Sequence, residues 1–245
     1  MRKLIVLLLF ISIVSCKKRK FNIITPQSIG IVLFQETFNG FNANVEKNYK
    51  TKISKTIHKE SIELISLDSS YICFKEKIVP STQFSLAFWF IPEFYGRNGT
   101  IINLSKHPRD FPIRSSLSIF MNKNRIAIMQ EGQDLRKLGY KNQAEFTDYF
   151  MSLNELNVGE MYFVTYIYEK QKAKLFVDGY LYSEYTNIHP ITNFEYVTLG
   201  ASWNKKGSKF HFKGSMDDIY MFNKALTQED INNLMDYTHI YQYAK

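Results

Sequence analysis

The sequence predicts an all-β fold, an antiparallel sandwich with one short helix near its C-terminal end. Three observations predict it. Apolar residues recur with a period of two along most of the chain, the signature of strands with one buried face. Turn-forming residues, above all Asp178-Gly179, punctuate those runs. Only one stretch, ALTQEDINNLM at 225 to 235, carries a helical period.

Each element follows from its residues. In FSLAFWFIP, Phe84, Leu86, Phe88 and Phe90 share one face while Ser85, Ala87, Trp89 and Ile91 share the other. Both faces are mainly apolar, which predicts a central strand covered on both sides. Pro92 lacks an N–H donor and ends it. SLSIFMNKNRIAIM reads as a hairpin turning at Asn122 to Asn124, and MYFVTYIYEKQKAKLFVDGYLYSEY as three consecutive strands. The second turn of that triplet is Asp178-Gly179, a pair suited to a type I′ turn because both central residues need positive φ. YVTLGAS and GSMDDIYMFN supply two more strands. In ALTQEDINNLM, Thr227 is placed to cap, Asp230 to return the bond at N3, and Leu226 with Ile231 to form a hydrophobic staple. Ile231, Leu234 and Met235 make the apolar stripe.

The chain opens with MRKLIVLLLFISIVSC. A basic start (Arg2, Lys3) and an apolar core from Leu4 to Val14 suit a secretory signal. The core is too short for a membrane span of about 20 residues. IVSC resembles the bacterial lipobox, in which cleavage before the cysteine leaves it to carry a diacylglyceryl group. The expected division is therefore a signal peptide over 1 to 15, a lipidated basic tether over 16 to 29, and one domain over 30 to 245. Lipid on Cys16 leaves Cys73 without an intramolecular partner, so no disulfide framework is expected despite export.

The formal net charge is +8, from 31 basic and 23 acidic residues. Setting aside Arg2, Lys3 and the run Lys17-Lys18-Arg19-Lys20 leaves 25 basic against the same 23 acidic. The folded part is nearly neutral, which excludes a nucleic-acid surface of gathered basic residues. The basic run suits anionic lipid headgroups beside an acyl anchor, or a solvated tether. The expected location is the bacterial cell envelope, at the outer membrane, with the surface and periplasmic faces both open.

Five stretches carry a family resemblance: GIVLFQETFNG, LISLDSSYICF, FSLAFWFIPEF, AKLFVDGYLY, and VTLGASW followed by FHFKGSMDDIYMFNKALTQEDINNL. Together they resemble the laminin G-like domains of the concanavalin A-like lectin/glucanase superfamily. The resemblance implies a jelly-roll sandwich and a carbohydrate- or protein-binding module. Two departures stand out. Met161, Tyr162 and Phe163 replace the family's Trp-x-His, and Gln35 stands where an Asp is common.

The same jelly roll hosts enzymes, so catalysis needs its own test. Retaining glycosidases set two carboxylates about 5 Å apart on one strand face. The nearest stretch, ELISLD at 63 to 68, has Ile65 in the central acidic position. A lyase set of Arg, Gln-x-His and Tyr is also lacking in the sequence. Asp217 and Asp218, being adjacent in a strand, are expected on opposite faces and so not as an acid/base pair. One of them then closes the sandwich by accepting backbone N–H bonds, or it serves a Ca²⁺ site of hard oxygens together with Glu36, which would substitute for the missing Asp at Gln35. Ligand contacts are expected in loops, at Trp203-Asn204, at Tyr95 and Arg97, and at Arg109. Trp203 alternatively covers a sheet edge. The reading is a non-catalytic binding module whose partner is a glycan or an envelope protein. The alternatives are a glycan hydrolase or lyase on the same fold, or a structural subunit of an envelope complex.

Overall fold

A computed structural model describes residues 24–39, 45–55, 57, 60–65, 70–80, 82–93, 98–106, 116–131, 147–152, 154–190, 194–204 and 207–240. In chain order the elements are α1 Pro26–Ile29, β1 Val32–Glu36, β2 Val45–Tyr49, β3 Thr51–Ser54, β4 Ser61–Leu64, β5 Tyr71–Ile78, β6 Gln83–Pro92, β7 Gly99–Ser105, β8 Ser116–Asn122 and β9 Arg125–Glu131. There follow β10 Thr147–Met151, β11 Tyr162–Glu169, β12 Lys172–Val177, β13 Tyr180–Thr186, β14 Phe194–Leu199, β15 Ser202–Asn204, β16 Gly207–Lys209, β17 Gly214–Phe222 and α2 Gln228–Ile240.

Apart from β15 and β16, which pair only with each other among the described strands, they make two antiparallel sheets packed as a sandwich. One runs β13-β12-β11-β6-β17-β4-β3, with β1 also on β17, and the other runs β10-β9-β8-β7-β14-β5-β2. The strand β6 lies between β11 and β17, as its two apolar faces require. Phe84, Leu86, Phe88 and Phe90 enter the core between the sheets. Ala87 and Trp89 enter a second apolar layer on the outer face, with Phe163, Ile167, Tyr220 and Phe222 of neighbouring strands and Ile231 and Leu234 of α2. Full burial of side chains this size stabilises by about 1.5–3 kcal/mol each.

The helix α2 covers that outer layer. Its start is the capping box expected: Thr227 N–H and hydroxyl both donate to the Asp230 carboxylate at 2.8 Å, and Asp230 N–H donates back to the Thr227 hydroxyl at 3.1 Å. Its end is farther than the pattern suggested, because the contact continues through a polar residue. Trp89 Nε1 donates to Thr238 Oγ1 at 2.8 Å, and that hydroxyl donates to the Leu234 carbonyl. A second, one-turn helix, α1, lies within the expected tether. Ile29 packs into the outer layer, and its carbonyl accepts from Lys224 Nζ at 3.1 Å.

The triplet β11–β12–β13 turns twice through residues with positive φ. Asp178 and Gly179 have φ of 50° and 78°, and Lys170 and Gln171 have φ of 47° and 65°. The first of these turns was readable from its Asp-Gly pair. The other has no such signal and is imposed by the flanking strands.

Candidate functional site

The adjacent acids of β17 fall at a break in the ladder. Asp217 lies opposite Trp89 and Tyr220 opposite Ala87, so one residue of β6 faces two of β17. That is a β-bulge, and Asp218 occupies it with φ of 48°. Its N–H donates to Asp217 Oδ1 at 2.8 Å. Asp is among the few non-glycine residues that tolerate this backbone region.

The bulge corrects the expectation of opposite faces, since simple alternation fails where a residue is inserted. Both acids bear on one phenol, Tyr220, which is itself beneath α2. Burial drives the Tyr220 phenol far above its ordinary value; the charges of Asp218, Tyr237 and Asp217 add to it, as does a hydrogen bond to Asp218. Both acids are buried, at 0% and 2% exposure. They hold a bend and a helix contact rather than face a substrate.

Glu36 is placed elsewhere. It pairs with Ile219, whose side chain belongs to the core between the sheets, and its Oε1 accepts the Phe38 N–H at 2.8 Å. Asp217 pairs with Trp89 of the outer layer. The three candidate calcium ligands therefore straddle the sheet instead of converging. Among the described residues no three His, Cys, Asp or Glu side chains gather as an ion would require.

A cleft of about 570 Å³ does open on the outer side, between the Asp178-Gly179 turn and the exposed flank of α2. Tyr180 is 75% exposed there and Leu181 51%, with Met235 completing the apolar part. Gln228, Asn232 and Asp236 line it from the helix. Gln228 Nε2 donates to the Gly179 carbonyl at 2.7 Å and to Asn232 Oδ1 at 3.1 Å, fastening turn to helix. Gly179 suits this contact twice over: its φ is positive, and a Cβ there would sit 3.1 Å from Asn232 Oδ1. Asp178 Oδ1 accepts the Phe163 N–H at 2.7 Å. Burial raises the Asp178 carboxyl above its usual value, the Phe163 bond opposes that rise, and the Glu160 charge adds to it.

In chemical terms the cleft offers an aromatic plane, two amides and two carboxylates, with no basic residue among its described lining. That arrangement accepts and donates hydrogen bonds around an apolar floor. Among its described lining residues no nucleophile is held against a base.

Tyrosine, glutamine and histidine do meet, but inside the sandwich. Tyr166 hydroxyl donates to Gln130 Oε1, and Gln130 Nε2 donates to the His189 carbonyl. The His189 ring lies 3.0 Å from Asp148. Tyr166 is wholly buried, and burial first, then Tyr168 and Asp148, pushes its phenol well up. This set ties one sheet to the other, with Tyr166 and Gln130 fully buried and the His189–Asp148 pair partly exposed.

Of the loop candidates, Trp203 and Asn204 lie on β15, which pairs with β16 as a two-stranded hairpin rather than an open loop. Their side chains are outside the described part of the structure. Tyr95, Arg97, Arg109 and Cys16 also fall outside the described residues. Sequence reasoning missed the Tyr180 cleft. The Asp-Gly turn and the capped helix were each legible, but their meeting depends on α2 lying back across β11 and β6.

The family described as the concanavalin A-like lectin/glucanases superfamily (Laminin_G_3) matches residues 67–232. Similar solved structures include the botulinum neurotoxin serotype G binding domain, with TM-score 0.63 and 13% identity over 85% of this chain and 51% of that one. The serotype D ligand binding domain in complex with N-acetylneuraminic acid gives TM-score 0.59 and 16% identity over 86% and 51%. The chain thus spans about half the length of those toxin domains. Domain 4 of AbnA, a GH43 extracellular arabinanase from Geobacillus stearothermophilus, in complex with arabinotriose, gives TM-score 0.60 and 14% identity over 84% of this chain and 98% of that one. No curated protein matches the chain. With more than half its length matched and the two-sheet sandwich in place, the chain belongs to the concanavalin A-like lectin/glucanases superfamily, in its laminin G-like family.

Proposed function

We propose that this chain is a non-catalytic glycan-binding module, held at the bacterial cell envelope by lipid on Cys16. The cleft beside Tyr180 carries the reading. Sugar rings present apolar C–H faces and peripheral hydroxyls, and this cleft presents an exposed aromatic ring edged by amide and carboxylate groups. The likeness to an arabinanase domain in complex with arabinotriose, over nearly all of that domain, supports the glycan class. The anchor rests on the IVSC stretch and the basic run that follows it.

A glycan array probed with the purified chain tests the reading. We expect retention of one or more oligosaccharides, lost in Tyr180→Ala and kept in Trp203→Ala. Binding that survives Tyr180→Ala removes the cleft from the account, and release of reducing ends from any bound polysaccharide would replace the module with an enzyme. Membrane fractionation of Cys16→Ser tests the anchor; the variant is expected in the soluble fraction.

A further inference from the structure

The charge on the cleft narrows what it takes. Asp178 and Asp236 both line it, and the exposed Glu229 lies on the adjoining turn of α2. Lys174 of β12 and Lys224 ahead of α2 are each engaged with an acid: Lys174 is 3.6 Å from Glu184, and Lys224 is 2.8 Å from Asp230. The floor of Tyr180 and Leu181 is therefore flanked by negative charge, with no counter-charge among the described lining residues.

Resting on the glycan reading above, we infer that this cleft selects uncharged oligosaccharides and rejects those bearing carboxylates. A neutral sugar hydroxyl donates to a carboxylate while its ring oxygen or a second hydroxyl accepts from the Asn232 or Gln228 amide. A uronic or sialic acid instead brings a third negative charge against two fixed ones. At about 5–6 Å in a water-like dielectric each such repulsion weakens binding about three-fold, so the pair gives about ten-fold. Because the cleft is open, salt should erode the difference as the screening length shortens from about 30 Å at 0.01 M to about 8 Å at 0.15 M.

The experiment uses the full chain in detergent on an array carrying neutral pentose and hexose oligosaccharides beside their uronate-bearing and sialylated counterparts, at low and at physiological salt. Expected is retention of neutral glycans, roughly ten-fold weaker retention of acidic ones at low salt, and a smaller gap at higher salt. Asp236→Asn, at an exposed position, should narrow the ratio of neutral to acidic retention about three-fold, whatever it does to neutral binding itself, with an unchanged thermal unfolding curve. Acidic glycans bound as well as neutral ones, or a gap indifferent to Asp236→Asn and to salt, overturn the inference while the glycan reading stands. Retention of neither class overturns both.

Discussion

Replacing Tyr220 by Phe tests whether the bulged acids are structural. The ring is 2% exposed and sits in the apolar layer under α2, so the substitution keeps its packing and removes only the hydroxyl. That hydroxyl donates to the Asp218 carboxylate. A hydrogen bond to a charged group contributes about 1.5–3 kcal/mol. The variant recovers roughly 1 kcal/mol, since a phenyl ring has no hydroxyl to strip of water. The net expectation is a loss of about 0.5–2 kcal/mol, or about 1–8 °C in Tm for a domain of this size. Urea unfolding followed by tryptophan fluorescence should show a lower midpoint with the same slope. In a double-mutant cycle, Tyr220→Phe and Asp218→Asn should couple by about 0.5 kcal/mol or more. A loss under about 0.5 kcal/mol, or strict additivity, would refute the assignment of these acids to the helix contact.

Three further outcomes follow from the geometry. Asp178→Asn should leave stability unchanged or slightly raised, because Asn tolerates positive φ and still accepts from Phe163, whereas Asp178→Ala should cost about 1–3 kcal/mol by leaving that N–H without its acceptor; thermal melts of the two variants check this. Burial alone would raise the Asp230 carboxyl, but Lys224 and the Thr227 cap hold it below its ordinary value of 3.8. A depressed carboxyl adds stability above that value and loses it as the pH falls through the lower folded value. The gap in urea midpoint between the wild type and Asp230→Asn should therefore be full at pH 6 and shrink below pH 4. Chelation with EDTA should leave Tm unmoved, since Glu36 and the Asp pair lie on opposite faces of their sheet; a fall of several degrees would restore a bound cation to the account.

Much of the fold was legible because local and global signals agree. β6 reads as central because both its faces are apolar, and the three strands from Tyr162 onward are separated by turns and alternate cleanly. The capping box fixed the start of α2, but its length was hidden, since Thr238 extends the contact through a hydroxyl that apolar periodicity does not register. The bulge was hidden for a related reason. Two acids in a strand look like alternation, and only the pairing with β6 shows that one residue is extra. The candidate cleft joins a turn and a helix well separated in sequence, so no local pattern encodes it.

The strand β17 shares one flank between two partners, β4 along Gly214–Met216 and β1 along Ile219–Phe222. The first strand of the fold is thus stitched to the last. Until the ribosome has delivered β17, β1 lacks the strand it pairs with and β6 lacks half its ladder, leaving an aromatic strand with an open edge. Contacts this remote in sequence slow folding, and exposed aromatic strands invite association during the wait. The sandwich is therefore expected to close only once β17 has emerged, late in synthesis.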